Sequence, residues 1–236
     1  MRRQKRSGKK AEETKNESSG AFKKMTVGLL GKKIGMTQIF DAEGFALPVT
    51  VVHLGENVVV DKLSKDNNGY EAIRIGGFAV KEKTLNKADM GALKKANVGP
   101  LSPMREFRVA DTSSFNIGQP LSVEELLKEG MLVDVRGRSI GKGFQGNIKR
   151  HNHSRGPMSH GSKNHRLVGS IGPGTTPGRV YKGLSMPGQM GNENVCVRHL
   201  KVVRIDLEKK LVLLNGAVPG CDGGIVEIRP SKTKWN

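Results

Sequence analysis

The residues with the most chemical promise lie between positions 131 and 192. Gly141, Gly143 and Gly146 in "GKGFQGNIKRHN" have the spacing G-x-G-x-x-G, in which a backbone loop can wrap the phosphates of a nucleotide. "MLVDV" at 131–135 could supply the strand that must precede such a loop. The residues after the loop do not fit. The fingerprint needs a helix opening at the third glycine, with its first N–H groups turned to the pyrophosphate. "NIKRHNHSRGPMSHG" contains Gly156-Pro157 and shows no apolar periodicity of the helical kind, so no helix is expected there. The ribose-binding acid due about 20 residues further on is missing, because no acid occurs before Glu193. A magnesium-dependent phosphate loop fails as well. Gly137 and Gly141 enclose three residues rather than four, and Gly143 follows Lys142 where Ser or Thr is needed.

Histidine chemistry fares no better. His151, His153, His160 and His165 are four of the six histidines. His-x-His without cysteines at ligand spacing is a poor zinc signature, and Cys196 and Cys221 are far from it. A magnesium nuclease would need carboxylates, which this stretch lacks. Ser154, Ser159 and Ser162 lie near histidines, but no nucleophile elbow or orienting acid accompanies them. No catalytic residue, metal, cofactor or small-molecule substrate is expected.

The same segment suits a polyanion. Residues 135–192 hold ten cations: Arg136, Arg138, Lys142, Lys149, Arg150, Arg155, Lys163, Arg166, Arg179 and Lys182. They also hold thirteen glycines, prolines at 157, 173, 177 and 187, and no acid. Lys and Arg neutralise phosphates, and Arg can fork onto two oxygens or stack on a base. Glycine lets a backbone follow a tight groove without Cβ clashes. The apolar residues are too sparse for a core, so this stretch is expected to stay unstructured until its ligand encloses it. We read the ten cations as phosphate contacts, the four histidines as packing or base contacts, and Phe144 as the anchor of the loop's root. RNA readers that stack bases on an exposed sheet need aromatics; only 4% of this chain is aromatic.

The rest of the chain has to hold that segment. Of the formal charge of +18, residues 1–24 contribute +6 and residues 135–192 contribute +10, which leaves a near-neutral body. Such asymmetry points to a polyanionic partner. No apolar run approaches the roughly 18 residues of a membrane span, and two cysteines suggest a reducing compartment. Within the body, "ALPVTVVHL" (46–54), "NVVVDKL" (57–63), "YEAIRIGGFAV" (70–80), "VCVRHLKVVRID" (195–206), "LVLL" (211–214) and "GIVEI" (224–228) read as short strands. Turn signals between them argue for a closed or nearly closed barrel. "SVEELLKEG" predicts a helix with a Ser122/Glu125 capping box and a stop at Gly130. "TLNKADMGALKKAN" predicts another, with Leu85, Ala88, Ala92 and Leu93 on one face. The fold class expected is therefore mainly β with α insertions. A basic extension occupies 1–24. A first barrel part spans 25–134, with a helical insertion over about 81–130. An extended basic loop covers 135–192, and final strands with a tail cover 193–236.

Several stretches together resemble a known family. "LLGKKIGMTQIF" (29–40), "GKGFQGNIKRHN" (141–152), "SHGSKNHR" (159–166), "GSIGPGTTPGRVYKG" (169–183), "MPGQMGNENV" (186–195) and "VVRIDLEKKLVLLNGAVPG" (202–220) are similar, in order, to the universal large-subunit ribosomal protein three family in its bacterial and organellar form. The resemblance implies a β-barrel like that of translation factors. It also implies early assembly onto large-subunit ribosomal RNA, with the long loop reaching toward the peptidyl transferase centre. The implied partners are that RNA and neighbouring ribosomal proteins, in the ribosomes of a bacterial cytoplasm, plastid stroma or mitochondrial matrix. Two departures matter. Pro173 stands where some relatives carry a methylated glutamine, and the histidine-rich tip replaces a region where relatives can carry tryptophan. No tip residue's role in tRNA accommodation is carried over.

Overall fold

The computed structural model describes residues 27–231; the basic extension predicted over 1–24 lies outside them. β-branched and aliphatic residues in short runs build eleven strands among the described residues. They are β1 (Leu29–Phe40), β2 (Ala46–Leu54), β3 (Val58–Leu63), β4 (Ala72–Ala79), β5 (Leu101–Arg108), β6 (Leu132–Arg138), β7 (Phe144–Gln145), β8 (Gly188–Gln189), β9 (Asn194–Asp206), β10 (Leu211–Asn215) and β11 (Ile225–Pro230). Helices are short: α1 (Lys65–Asn68), α2 (Lys87–Lys95), α3 (Val123–Leu126) and α4 (Asn147–His151). The chain divides into two compact units, one made of the residues up to Arg138 and from Val195, the other of Ser139–Asn194.

In the first unit, six strands form a closed barrel in the order β1-β11-β6-β9-β10-β2. Alternation drives it, because every second residue of a strand points to one face. Leu29, Val52, Leu54, Val133, Val135, Val202, Val212, Leu214, Val226 and Ile228 meet in one buried cluster. The predicted strands therefore exist, but they do not all belong to the barrel. β3 and β4 join β5 in a separate three-stranded sheet, with Ile73, Ile75 and Phe107 buried against Val27 and Leu30. Strand count indicates neither which strands pair nor how many sheets they make, and that is why the sequence alone suggests a single barrel. β5 itself also falls inside the stretch read as a helical insertion. Pro103 cannot donate to a ladder, but β5 lies at the edge of its sheet, where proline is tolerated.

The helices need two corrections. Ser122 precedes α3 as expected, yet its side chain makes no capping hydrogen bond, and the helix ends after one turn. The buried face of α2 is formed by Leu93 and Ala96, with Leu85 and Val98 packed beside them, whereas Ala88 is exposed.

Asn57 joins the barrel to the second sheet. It is 1% exposed and has φ 49°, a left-handed conformation that Asn tolerates better than most side chains. Its Oδ1 accepts from the Leu30 N–H at 2.7 Å, and its Nδ2 donates to the carbonyls of Leu30 at 3.1 Å and Gly55 at 3.0 Å. The Leu30 N–H and the Gly55 carbonyl, which would otherwise be buried without partners, are thereby satisfied. On the outer side, Arg229 places its guanidinium over the Phe107 ring at 4.6 Å. Glu227 takes a hydrogen bond from Arg229 at 2.8 Å and an ion pair from Arg105 at 3.4 Å. These side chains connect β11 to β5.

Candidate nucleic-acid interface

Arg136 and Arg138 lie on β6, whose burial alternates so that Val133, Val135 and Gly137 point inward and both arginines are exposed. The remaining eight cations belong to the second unit. Its root is an antiparallel pair of chain segments. Ser139 N–H donates to the Glu193 carbonyl at 2.8 Å, Lys142 N–H to Met190 at 2.9 Å, and Met190 N–H to Gly143 at 3.0 Å. β7 then pairs with β8 through Phe144↔Gln189 and Gln145↔Gly188. Gly191 makes this approach possible. Its φ is +70°, and a Cβ there would run into the Ile140 carbonyl oxygen. Phe144 does lie at the root, but its ring is 76% exposed, so the backbone ladder rather than the ring holds the strands together.

A turn of helix opens at Gly146, where the sequence pattern predicts none. α4 covers Asn147–His151, with Asn152 left-handed at its end; five residues are too few to show periodicity in sequence. Its side chains reach the returning strand. Asn147 Nδ2 donates to the Ser185 carbonyl at 2.7 Å. Arg150 Nη1 donates to the Met186 carbonyl at 2.6 Å, and the His151 Nε2 lies 3.1 Å from the same oxygen. A carbonyl can only accept, so the proton of His151 is on Nε2. This clasp relies on residues no sequence signal marked: a lone Asn147, and the carbonyls of Ser185 and Met186.

Beyond the clasp the unit is made of turns. Gly156 N–H donates to the His165 carbonyl at 2.9 Å, and a Cβ on Gly156 would collide with the Asn164 carbonyl oxygen. His165 Nδ1 lies 2.9 Å from the Pro157 carbonyl, so it donates there. His151 and His153 have ring centroids 6.0 Å apart. Arg179 sits over the Tyr181 ring at 5.8 Å, and Tyr181 is 60% exposed. An aromatic within a basic, acid-free stretch was the signal that could have singled out Tyr181. Lys142, Lys149, His153, Arg155, His160, Lys163, His165, Arg166, Arg179 and Lys182 are all exposed, while Arg150 and His151 are half-buried. None of the buried apolar side chains lies between 139 and 194. Composition predicts a shapeless unit; instead it is shaped by backbone hydrogen bonds and close glycine contacts, without an apolar core.

The chemistry this arrangement allows is electrostatic. Among the described residues, no group of three or more His, Cys, Asp or Glu side chains could hold a metal. No described helix is long and apolar enough to cross a membrane.

Residues 57–210 match the family described as Ribosomal protein L3. The chain is 51% identical over 209 residues to the large ribosomal subunit protein uL3 of Crocosphaera subtropica, covering 88% of this chain and 98% of that protein. The chain belongs to the ribosomal protein L3 family. A uL3 from Thermosynechococcus vestitus is 50% identical over 88% of this chain and 98% of its own length. Another, from a Synechococcus species, is 49% identical over 90% and 99%. The L3 family match covers both β6 and the acid-free stretch over 139–192, so the exposed cations fall inside the shared region.

Proposed function

We infer that this L3-family chain is a structural constituent of the large ribosomal subunit, where it binds large-subunit ribosomal RNA and takes part in subunit assembly. It is a non-enzymatic component, and its place in the cell is the ribosome. The relatives carry that general reading. One feature of the molecule carries the placement of the RNA: residues 139–192 contain eight cations and no acid, and they bury no apolar side chain. A polyanion supplies both the counter-charge and the enclosing surface that such a segment lacks.

In this reading the barrel is of the translation-factor kind. It receives the two ends of the acid-free segment, and that segment enters folded RNA toward the peptidyl transferase centre. There it positions RNA that performs the chemistry. Arg136, Arg138, Lys142, Lys149, Arg155, Lys163, Arg166, Arg179 and Lys182 contact phosphates directly. Arg150 shares its guanidinium between Met186 and the RNA. His151, His153, His160 and His165 pack against sugars or bases, and Phe144 offers an exposed ring for stacking. Neighbouring large-subunit proteins contact the barrel, in the ribosomes of a bacterial cytoplasm or a plastid.

Salt titration of binding to a large-subunit RNA fragment tests this. If the ten cations meet phosphates, log affinity falls with log salt at a slope of about −7 to −9. A slope near about −2, that of two or three phosphate contacts, would refute the assignment.

A further inference from the structure

The strongly basic chain contains a stretch of opposite character. Residues 34–61 include Asp41, Glu43, Glu56 and Asp61 and no Lys or Arg. Their first half forms the distal part of the β1–β2 hairpin, paired out to Phe40↔Ala46. Its turn is closed by the Asp41 N–H donating to the Phe45 carbonyl at 2.9 Å and by the Gly44 N–H donating to the Asp41 carbonyl at 2.9 Å. The neighbouring strands stop short of this end. The β11 side is bonded to β1 only as far as Lys33, which donates to the Gly224 carbonyl at 2.9 Å and accepts from the Gly223 N–H at 2.7 Å. β10 pairs with β2 out to Asn215↔Val49, with one further bond from the Gly216 N–H to the Pro48 carbonyl at 2.9 Å.

Three observations converge on this hairpin end. Large apolar side chains are exposed on it: Ile34 at 52%, Met36 at 52%, Phe40 at 68% and Phe45 at 66%. Met36 and Phe40 share a face by strand alternation. Among the described residues, no strand pairs with the far side of residues 35–40, "GMTQIF". Exposed edges are normally blunted by proline or charge. Positions 35–40 carry neither.

Charge selects the occupant. Phosphates would meet Asp41 and Glu43 with no Lys or Arg in residues 34–61 to offset them, which disfavours RNA. A second copy would set acidic tip against acidic tip. The chain's own residues 1–26 are basic, but Met1, Phe22 and Met25 are their only large apolar side chains, too few to cover four exposed ones. A basic protein with an apolar strand satisfies all three features.

We propose that the free edge of β1 at residues 35–40 is a docking strand for a second, basic large-subunit protein. That protein adds a strand by main-chain hydrogen bonds, covers Met36, Phe40 and Phe45, and pairs cations with Asp41 and Glu43. The proposal rests on the ribosomal reading above and adds to it a surface and a partner chemistry.

The test places photoreactive benzoylphenylalanine at position 40 of the full chain, expressed in cells so that it enters their large subunits, which are then isolated and irradiated. The expected result is a nuclease-resistant adduct, identified by mass spectrometry as one net-basic large-subunit protein. Charge reversal with Asp41→Lys and Glu43→Lys in the labelled chain lowers its yield by about tenfold. The chain still cosediments with the subunit through its RNA contacts. An adduct to RNA, to the chain itself or to a second copy overturns the proposal, as does no adduct from a chain present in the subunit. A chain that never enters large subunits overturns the ribosomal reading first, so the two failures are distinguishable.

Discussion

Phe107 and Phe144 are the same side chain in opposite settings: the first is fully buried, the second 76% exposed. Phe107 packs with Val27, Leu30, Ile73 and Ile75 and carries the Arg229 guanidinium on its face. Phe144 is held only through its backbone, opposite Gln189. Each typifies its unit. The sheet unit is stabilised by apolar area removed from water, and its charges pair locally, as Arg74 does with Glu106 at 2.7 Å. The Ser139–Asn194 unit keeps its shape through hydrogen bonds and glycine contacts, leaving most of its cations at the surface. The contrast teaches that one chain can combine a unit held by an apolar core with a unit held by backbone hydrogen bonds and close glycine contacts.

The largest test of that contrast is deletion. Removing 139–190 should abolish binding to large-subunit RNA in a filter assay while leaving a soluble barrel with a cooperative thermal transition. An unfolded product would erase the distinction between the units. Next come the two phenylalanines. Phe107→Ala should cost about 3–5 kcal/mol in denaturant unfolding, whereas Phe144→Ala should change stability by less than about 0.5 kcal/mol and weaken RNA binding instead. Asn57→Ala sharpens the picture of the sheet unit. It strips partners from the Leu30 N–H and the Gly55 carbonyl, and each buried group left unsatisfied costs about 1–3 kcal/mol. A loss below about 0.5 kcal/mol would mean water enters there.

The smallest effect concerns Glu106. Hydrogen bonds from Arg74 and then Tyr70 hold its carboxyl below the usual carboxylate range. Because the folded state favours the ionised form, its contribution is present at neutral pH. That contribution is lost as pH falls from the unfolded value, near 4.5, through the lower folded one. The group is largely solvent-exposed, so Glu106→Gln should cost less than about 1 kcal/mol at pH 7, and the difference should vanish in acid unfolding curves below that window.

Much of this was legible in sequence. β2, β3, β4, β9, β10 and β11 coincide closely with β-branched runs bounded by turn residues. β1 was less visible because Gly31, Lys32, Lys33 and Gly35 interrupt its alternation, and a bulge between Lys33 and Gly35 shifts its register. β5 was hidden by Pro103 and by the adjacent charges Arg105 and Glu106. The division into barrel and second sheet depends on contacts far apart in the chain, which local pattern does not encode. At the interface the acid-free stretch was evident from composition alone. The clasp of Asn147, Arg150 and His151 on residues 185–186 was not, since nothing in either segment announces that the other returns beside it.

The seam of the barrel joins the first described strand to the last, with Leu29 opposite Ile228 and Lys32 opposite Ile225. During synthesis, β1 must therefore wait for residues 225–228 to emerge before its partner exists. The cationic stretch leaves the exit tunnel well before that moment. A newborn molecule thus carries its cationic stretch while its framework is still open, and a message cut short before the codon for Ile225 yields charge without a closed barrel.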